Sequence, residues 1–122
     1  MLSNKVKTTW IVIILLAIAL VGYAKYAPGK YDDFANCVTK ADATFYGAFW
    51  CPHCADEKKA FGSSMKNILY VECSTPDGKG QTEICKQMNV SSYPTWIFAD
   101  GSRETGFVSL AKIGEKTGCK LP

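Results

Sequence analysis

The residues of this 122-residue chain with the clearest capacity for chemistry are Cys51-Pro52-His53-Cys54. Before them, residues 43–49 are aromatic and small, too few for a helix, and read as a buried strand. Pro52 suits the first turn of a following helix, where its missing N–H costs nothing. Cys51 would then sit at a helix start, where free N–H groups and the positive end of the dipole stabilise a thiolate. Cys54 lies one turn deeper on the same face. With one sulfur exposed and the other shielded, the pair can form and resolve a mixed disulfide. His53, the single histidine of the chain, adds a donor and, when protonated, a positive charge beside Cys51. Both favour the thiolate and so make the disulfide a better oxidant. Trp50 is expected to serve as packing wall and as substrate platform.

Other chemistries fit less well. A c-type haem site needs histidine directly after the second cysteine, and position 55 is alanine. A zinc site from Cys51, Cys54, Cys73 and Cys85 has one Cys-x-x-Cys knuckle and lacks the second. A purely structural 51–54 bridge closes too small a loop to stabilise much. No metal is expected, and no cofactor beyond the cysteine pair itself. Tyr93-Pro94-Thr95 is a second feature: a proline just ahead of a strand, which alone could be an ordinary trans start.

The elements that must position these groups follow from patterning. Residues 31–39 read as a short helix with Phe34, Ala35 and Val38 on one side. The helix begun at Cys51 is expected over 51–65, weakened at Gly62. Residues 68–72 form a second strand, 74–80 a loop and 82–88 a short helix. Residues 95–99 and 103–108 form two strands joined by the Asp100-Gly101 turn. Ser109 caps a last helix ended by Gly118. The order predicts an α/β fold, a three-layer α/β sandwich with a four-stranded mixed sheet.

The charge is uneven. Residues 1–31 carry four lysines and no acid, whereas the rest holds ten basic residues against eleven acidic ones. The folded part is nearly neutral, so nothing in it suggests a nucleic-acid surface, which needs a clustered basic patch. Residues 10–21 are an unbroken apolar run behind Lys5 and Lys7, as in an export signal or a membrane span. The expected division is a basic cytoplasmic segment over 1–7, a retained signal-anchor over 8–24, a linker over 25–30 and one domain over 31–122. Trp10, Tyr23 and Tyr26 bracket the run as interfacial aromatics do. All six cysteines lie at or after position 37, and paired thiols persist outside the cytosol. The domain is therefore expected on the extracytoplasmic, periplasmic or extracellular, side of the cell membrane.

Trp50-Cys51-Pro52-His53-Cys54 after an aromatic strand, with Tyr93-Pro94-Thr95 further on, resembles the thioredoxin superfamily. Segments 46–54, 70–73, 81–85 and 93–96 look most like the thioredoxin-like domain associated with bacterial vitamin K epoxide reductase homologues. The likeness covers about residues 34–119. It implies that Cys51 attacks, that Cys54 resolves, and that Pro94 is a cis-proline. Tyr93, Pro94 and Thr95 would then meet a substrate chain docking as an added strand. Two departures stand out. Thioredoxin has Gly-Pro between its cysteines and a buried acid in the preceding strand, whereas this chain has Pro-His, as in DsbA-type oxidants, and no acid within 43–50. The proton of Cys54 then needs water, substrate or Glu57 as acceptor, and Glu57 is expected to be a solvated helix residue.

The other four cysteines allow three pairings. Cys73–Cys85 with Cys37–Cys119 is the preferred set, the first across a Gly-rich loop and the second stapling the first and last helices. Together these features suggest a membrane-anchored thiol–disulfide oxidoreductase that oxidises cysteines of substrate proteins. The resemblance implies reoxidation by a membrane partner like vitamin K epoxide reductase or DsbB, with quinone used only through that partner. A disulfide reductase or isomerase using the same site is the alternative. A non-enzymatic zinc-holding or peptide-binding module is the rival from another class.

Overall fold

The computed structural model describes residues 3–122; the first two residues of the expected basic segment lie outside them. A long helix α1 (Asn4–Tyr26) precedes the folded domain. The domain runs α2 (Asp32–Lys40), β1 (Thr44–Gly47), α3 (Pro52–Phe61), a 3-10 segment (Gly62–Asn67) and β2 (Tyr70–Glu72). It continues with α4 (Glu83–Gln87), β3 (Thr95–Ile97), β4 (Arg103–Thr105) and α5 (Leu110–Thr117). The four strands form one sheet in the order β2-β1-β3-β4. β1 and β2 are parallel, with Phe45 opposite Tyr70, while β3 runs antiparallel to both β1 and β4.

Alternation along β1 divides the core between the two faces of the sheet. Phe45 faces one side, where it stacks on Trp96 at 5.2 Å and joins Phe34, Phe61 and Ile113 from α2, α3 and α5. Tyr46 faces the other, beside Cys73, Cys85 and Val90. The result is the mixed four-stranded α/β architecture expected from the sequence, consistent with a thioredoxin-like fold.

Local signals explain the ends of the elements. Ser109 Oγ accepts the Lys112 N–H at 3.2 Å at the start of α5, and Gly118 closes that helix at a φ of 75°. The helix expected over 51–65 stops sooner. Gly62, at a φ of 57°, turns the chain after Phe61, and the 3-10 segment takes over. Buried Ser64 anchors this segment, its Oγ accepting the Tyr31 N–H at 2.9 Å. The strand expected over 103–108 also ends early. Gly106, at a φ of 79°, bends the chain so that its N–H meets Pro94 O at 2.9 Å.

The stretch between α1 and α2 is tied down. Gly29 N–H binds Asp32 Oδ2 at 2.8 Å, and Lys66 Nζ donates to Ala27 O at 3.0 Å. No residue of helix α1 is buried, and an 18-residue window of it has a mean hydropathy of 2.1. Its 23 residues would extend about 34 Å, enough to cross a hydrocarbon core of about 30 Å. Thr8 and Thr9 direct their hydroxyls to Asn4 O and Lys5 O, both at 2.9 Å, which satisfies these groups within the helix.

The structure bonds Cys37 to Cys119 and Cys73 to Cys85. The first bridge joins residues 82 positions apart and the second residues 12 apart. Loop-closure entropy gives about 4.5 and about 3 kcal/mol for them. In the full chain in detergent, replacing Cys37 and Cys119 by serine is expected to cost more stability than replacing Cys73 and Cys85. Denaturant unfolding of the two double variants checks this order; a larger loss from the 73–85 pair would contradict it.

Candidate active site

The site is built at the junction of β1 and α3. Cys51 is extended, with φ −79° and ψ 121°, and occupies the N-cap of α3 with Pro52 behind it in the first turn. Its backbone N–H returns to Ala48 O at 3.1 Å. Its sulfur accepts the Cys54 N–H at 3.3 Å, taking the part that an oxygen plays at most helix starts. A helix-end amide therefore points at Cys51 Sγ, where a thiolate would form.

Both thiols are unbonded to other groups, and their burial differs less than the sequence suggested. Cys51 keeps 5% of its surface and Cys54 none. The expected exposed nucleophile is thus an almost covered one. Cys51 belongs to the main core cluster, against which Tyr93 also packs. Burial, then the hydrogen bond with Cys51, pushes the Cys54 thiol up to about 12, with the Ala48 amide and the Lys58 charge acting the other way.

The remaining expected residues fall into two groups. Trp50 and Tyr93 meet edge to face at 5.9 Å, which joins the Cys-x-x-Cys segment to the Tyr93-Pro94-Thr95 segment. The Tyr93–Pro94 bond is cis, Pro94 is buried, and Thr95 Oγ1 donates to Ser92 O at 2.7 Å. Gln81 Nε2 donates to the Tyr93 hydroxyl at 2.8 Å, and Trp50 Nε1 donates to Ser74 Oγ at 2.9 Å. The Cys73–Cys85 bridge brackets this loop, so those two sulfurs are bonded to each other rather than grouped with Cys51 and Cys54. Among the described residues, no group of three or more His, Cys, Asp or Glu side chains is placed to hold a metal ion. His53 departs from expectation. Its ring is exposed and lies 3.8 Å from Asp56, and the hydrogen bond received by Cys51 Sγ comes from the Cys54 amide instead.

Two further residues, Glu72 and Tyr70, were not read as part of the site, and Glu57, weighed as a proton acceptor, was expected in solvent. Glu72 Oε1 accepts the Phe49 N–H at 2.9 Å and the Ser74 N–H at 3.3 Å, and Oε2 accepts the Tyr70 hydroxyl. It thereby fixes the turn that leads into Cys51. Burial, with the Glu72 hydrogen bond, raises the Tyr70 phenol above its ordinary value. Glu57 is fully buried rather than solvated. It stands three residues after Cys54 and four before Phe61, both buried, so helical spacing places it on the inward face of α3. Its Oε2 accepts the Val108 N–H at 2.8 Å. The nearby Trp96 indole favours its charged form, yet neither Trp96 Nε1 nor Glu57 Oε1 completes a hydrogen bond. Burial prevails and lifts the carboxyl from 4.5 to about 7.

No protein-family model matches the chain. Over 92 residues it is 43% identical to an Arabidopsis thaliana protein named Thiol-disulfide oxidoreductase LTO1. That match covers 71% of this chain and 24% of the relative, so the chain spans about a quarter of the plant protein's length. The likeness and the unbonded cysteine pair at a helix start together support a thiol–disulfide redox function.

Glu57 also sets a pH dependence. The folded chain keeps a proton that the unfolded chain releases between about 4.5 and about 7. The stability tied to the protonated carboxyl is complete below the lower value and is lost as pH rises through the upper one. The difference is worth about 3 kcal/mol. Denaturant unfolding between pH 4 and pH 8 should show this fall in the wild type and its removal in Glu57→Gln. Parallel profiles for the two proteins would refute it.

Proposed function

We propose that this chain is a membrane-anchored oxidant of protein thiols acting outside the cytoplasm, with Cys51 as the attacked sulfur and Cys54 as the resolving one. The observation that carries the reading is the difference between the two sulfurs. Cys51 receives a backbone amide and keeps the last open edge, while Cys54 is sealed behind it.

The reaction starts from the Cys51–Cys54 disulfide. A substrate thiolate attacks Cys51 Sγ, the bond to Cys54 breaks, and its electron pair leaves on Cys54, which takes up a proton. A second substrate thiolate then attacks the substrate sulfur of the mixed disulfide. Cys51 departs as a thiolate, stabilised by the Cys54 amide and the helix dipole. Two electrons pass from substrate to protein, and the substrate leaves with a new disulfide. Exposed Trp50 and half-buried Tyr93 provide the surface on which the substrate chain lies, paired as an added strand, with buried Pro94 and Thr95 behind them. Pro52 sets the first turn of the helix, and His53 remains an exposed polar contact beside the pair.

A membrane oxidoreductase resembling vitamin K epoxide reductase or DsbB would reoxidise the pair, passing the electrons to a quinone of its own. Helix α1 would hold the site near that partner and raise their effective concentration. The Pro-His pair between the cysteines favours the oxidising direction.

Equilibration with glutathione buffers is the decisive measurement. An oxidase should give a reduction potential near −120 mV, and one near −270 mV would turn the reading to a reductase. Cys54→Ser is expected to accumulate mixed disulfides with substrate proteins and Cys51→Ser to form none. Equal trapping by both variants would remove Cys51 from its role.

A further inference from the structure

The proposed reaction puts charge on Cys54, the sulfur least able to bear it, and no acid lies in the strand before it. The surroundings of Cys54 show what could help. Gly47 leaves an opening on the strand side. A Cβ at that position would lie 3.1 Å from Cys54 Sγ and 3.0 Å from Tyr70 Cε2, so sulfur and ring edge face each other across the glycine. The ring is held on several sides. Phe45 meets it edge to face at 5.1 Å, its hydroxyl is bound by Glu72, and Lys58 Nζ sits 4.1 Å from its centroid.

Lys58 follows Cys54 by four residues on α3, which places the two on one helix face. The other charged groups near the pair are engaged elsewhere. Glu57 turns to Val108, His53 faces Asp56, and Glu72 takes the Tyr70 hydroxyl and two backbone amides. Among the described residues the ion pairs are His53–Asp56, Lys66–Asp32 and Lys112–Glu115, so Lys58 keeps its charge unpaired.

We propose that Lys58, seated on the Tyr70 ring, is a positioning residue that supports the negative charge on Cys54 Sγ whenever the Cys51–Cys54 bond breaks or forms. This rests on the reading of the two cysteines as a redox pair. When a thiolate attacks Cys51, the electron pair of the broken bond goes to Cys54. The ammonium attracts it in surroundings less screened than bulk water, and the thiolate then takes a proton from water. In the reverse half, Cys54 gives its proton to water and attacks Cys51 Sγ, expelling the thiolate bonded there. At neutral pH the charge on Cys54 is transient, because burial keeps the resting thiol protonated. Lys58 therefore acts on rates and leaves the equilibrium alone.

The test uses the full chain in detergent and reduced glutathione as the attacking thiol. Stopped-flow rates with the oxidised protein are compared for wild type, Lys58→Met and Lys58→Arg, together with the equilibrium constant against glutathione at pH 7. A thiol leaves more slowly as its pKa rises, so Lys58→Met should slow the reaction about three- to tenfold. Lys58→Arg should recover the rate to within about twofold, and the equilibrium constant should stay within about twofold in both. An unchanged rate in Lys58→Met, no recovery with arginine, or equal shifts in rate and equilibrium would overturn the proposal. A wild-type protein that forms no glutathione adduct at Cys51 would instead remove the redox reading beneath it.

Discussion

The site depends on what each of two sulfurs meets one helical turn apart. Cys51 stands where α3 begins and backbone amides are unspent, and Cys54 stands where the core closes. The first sulfur meets a helix-end amide, whereas burial raises the thiol of the second. A mixed disulfide at such a pair can be opened only from the side that an attacking thiol reaches. The near-complete cover of Cys51 sharpens the point. Cys51 keeps only 5% of its surface and Cys54 none, so little of the pair is open to a reactant.

Keeping the two sulfurs so placed requires a fixed approach to the helix. Glu72 grips the Phe49 amide, Trp50 is pinned to Ser74, and the Cys73–Cys85 bridge holds the base of the loop that carries Ser74. On the other side Gln81 holds the Tyr93 hydroxyl. The second pair of cysteines thus does more than shorten the unfolded chain. It braces the strand end against which the active-site turn is built.

Much of this was legible because it is local. Pro52 behind Cys51, Ser109 ahead of α5 and Gly118 after it act within one turn of the chain, and their positions came out as their residue types dictate. The four-stranded mixed sheet followed from the succession of elements along the chain, and the structure supplies the order β2-β1-β3-β4. What stayed hidden depends on partners distant in sequence. Glu57 was assigned to solvent on its charge, although its spacing from Cys54 and Phe61 marks the inner face of α3, and only the Val108 amide explains how a carboxyl lies there. Tyr70 joins the site through the parallel register that sets it against Phe45, which a single strand pattern cannot report. His53 was drawn toward Cys51 on adjacency, whereas its ring leans to Asp56 along the outer face of the helix.

The early end of α3 has a consequence of its own. Had the helix continued to residue 65, the segment after Gly62 could not present Ser64, Lys66 and Asn67 to the chain that enters the domain. As it stands, Ser64 takes the Tyr31 amide, Lys66 takes Ala27 O, and Asn67 Nδ2 binds Asp32 Oδ1 at 3.0 Å. The stretch joining α1 to the domain is therefore fastened to the segment that ends the active-site helix. A tether attached in this way bears on the helix that carries both sulfurs, and a loose polar linker would not. If α1 lies in a bilayer, the hydrogen bonds at Ala27, Tyr31 and Asp32 limit how freely the cysteine pair can turn relative to that helix.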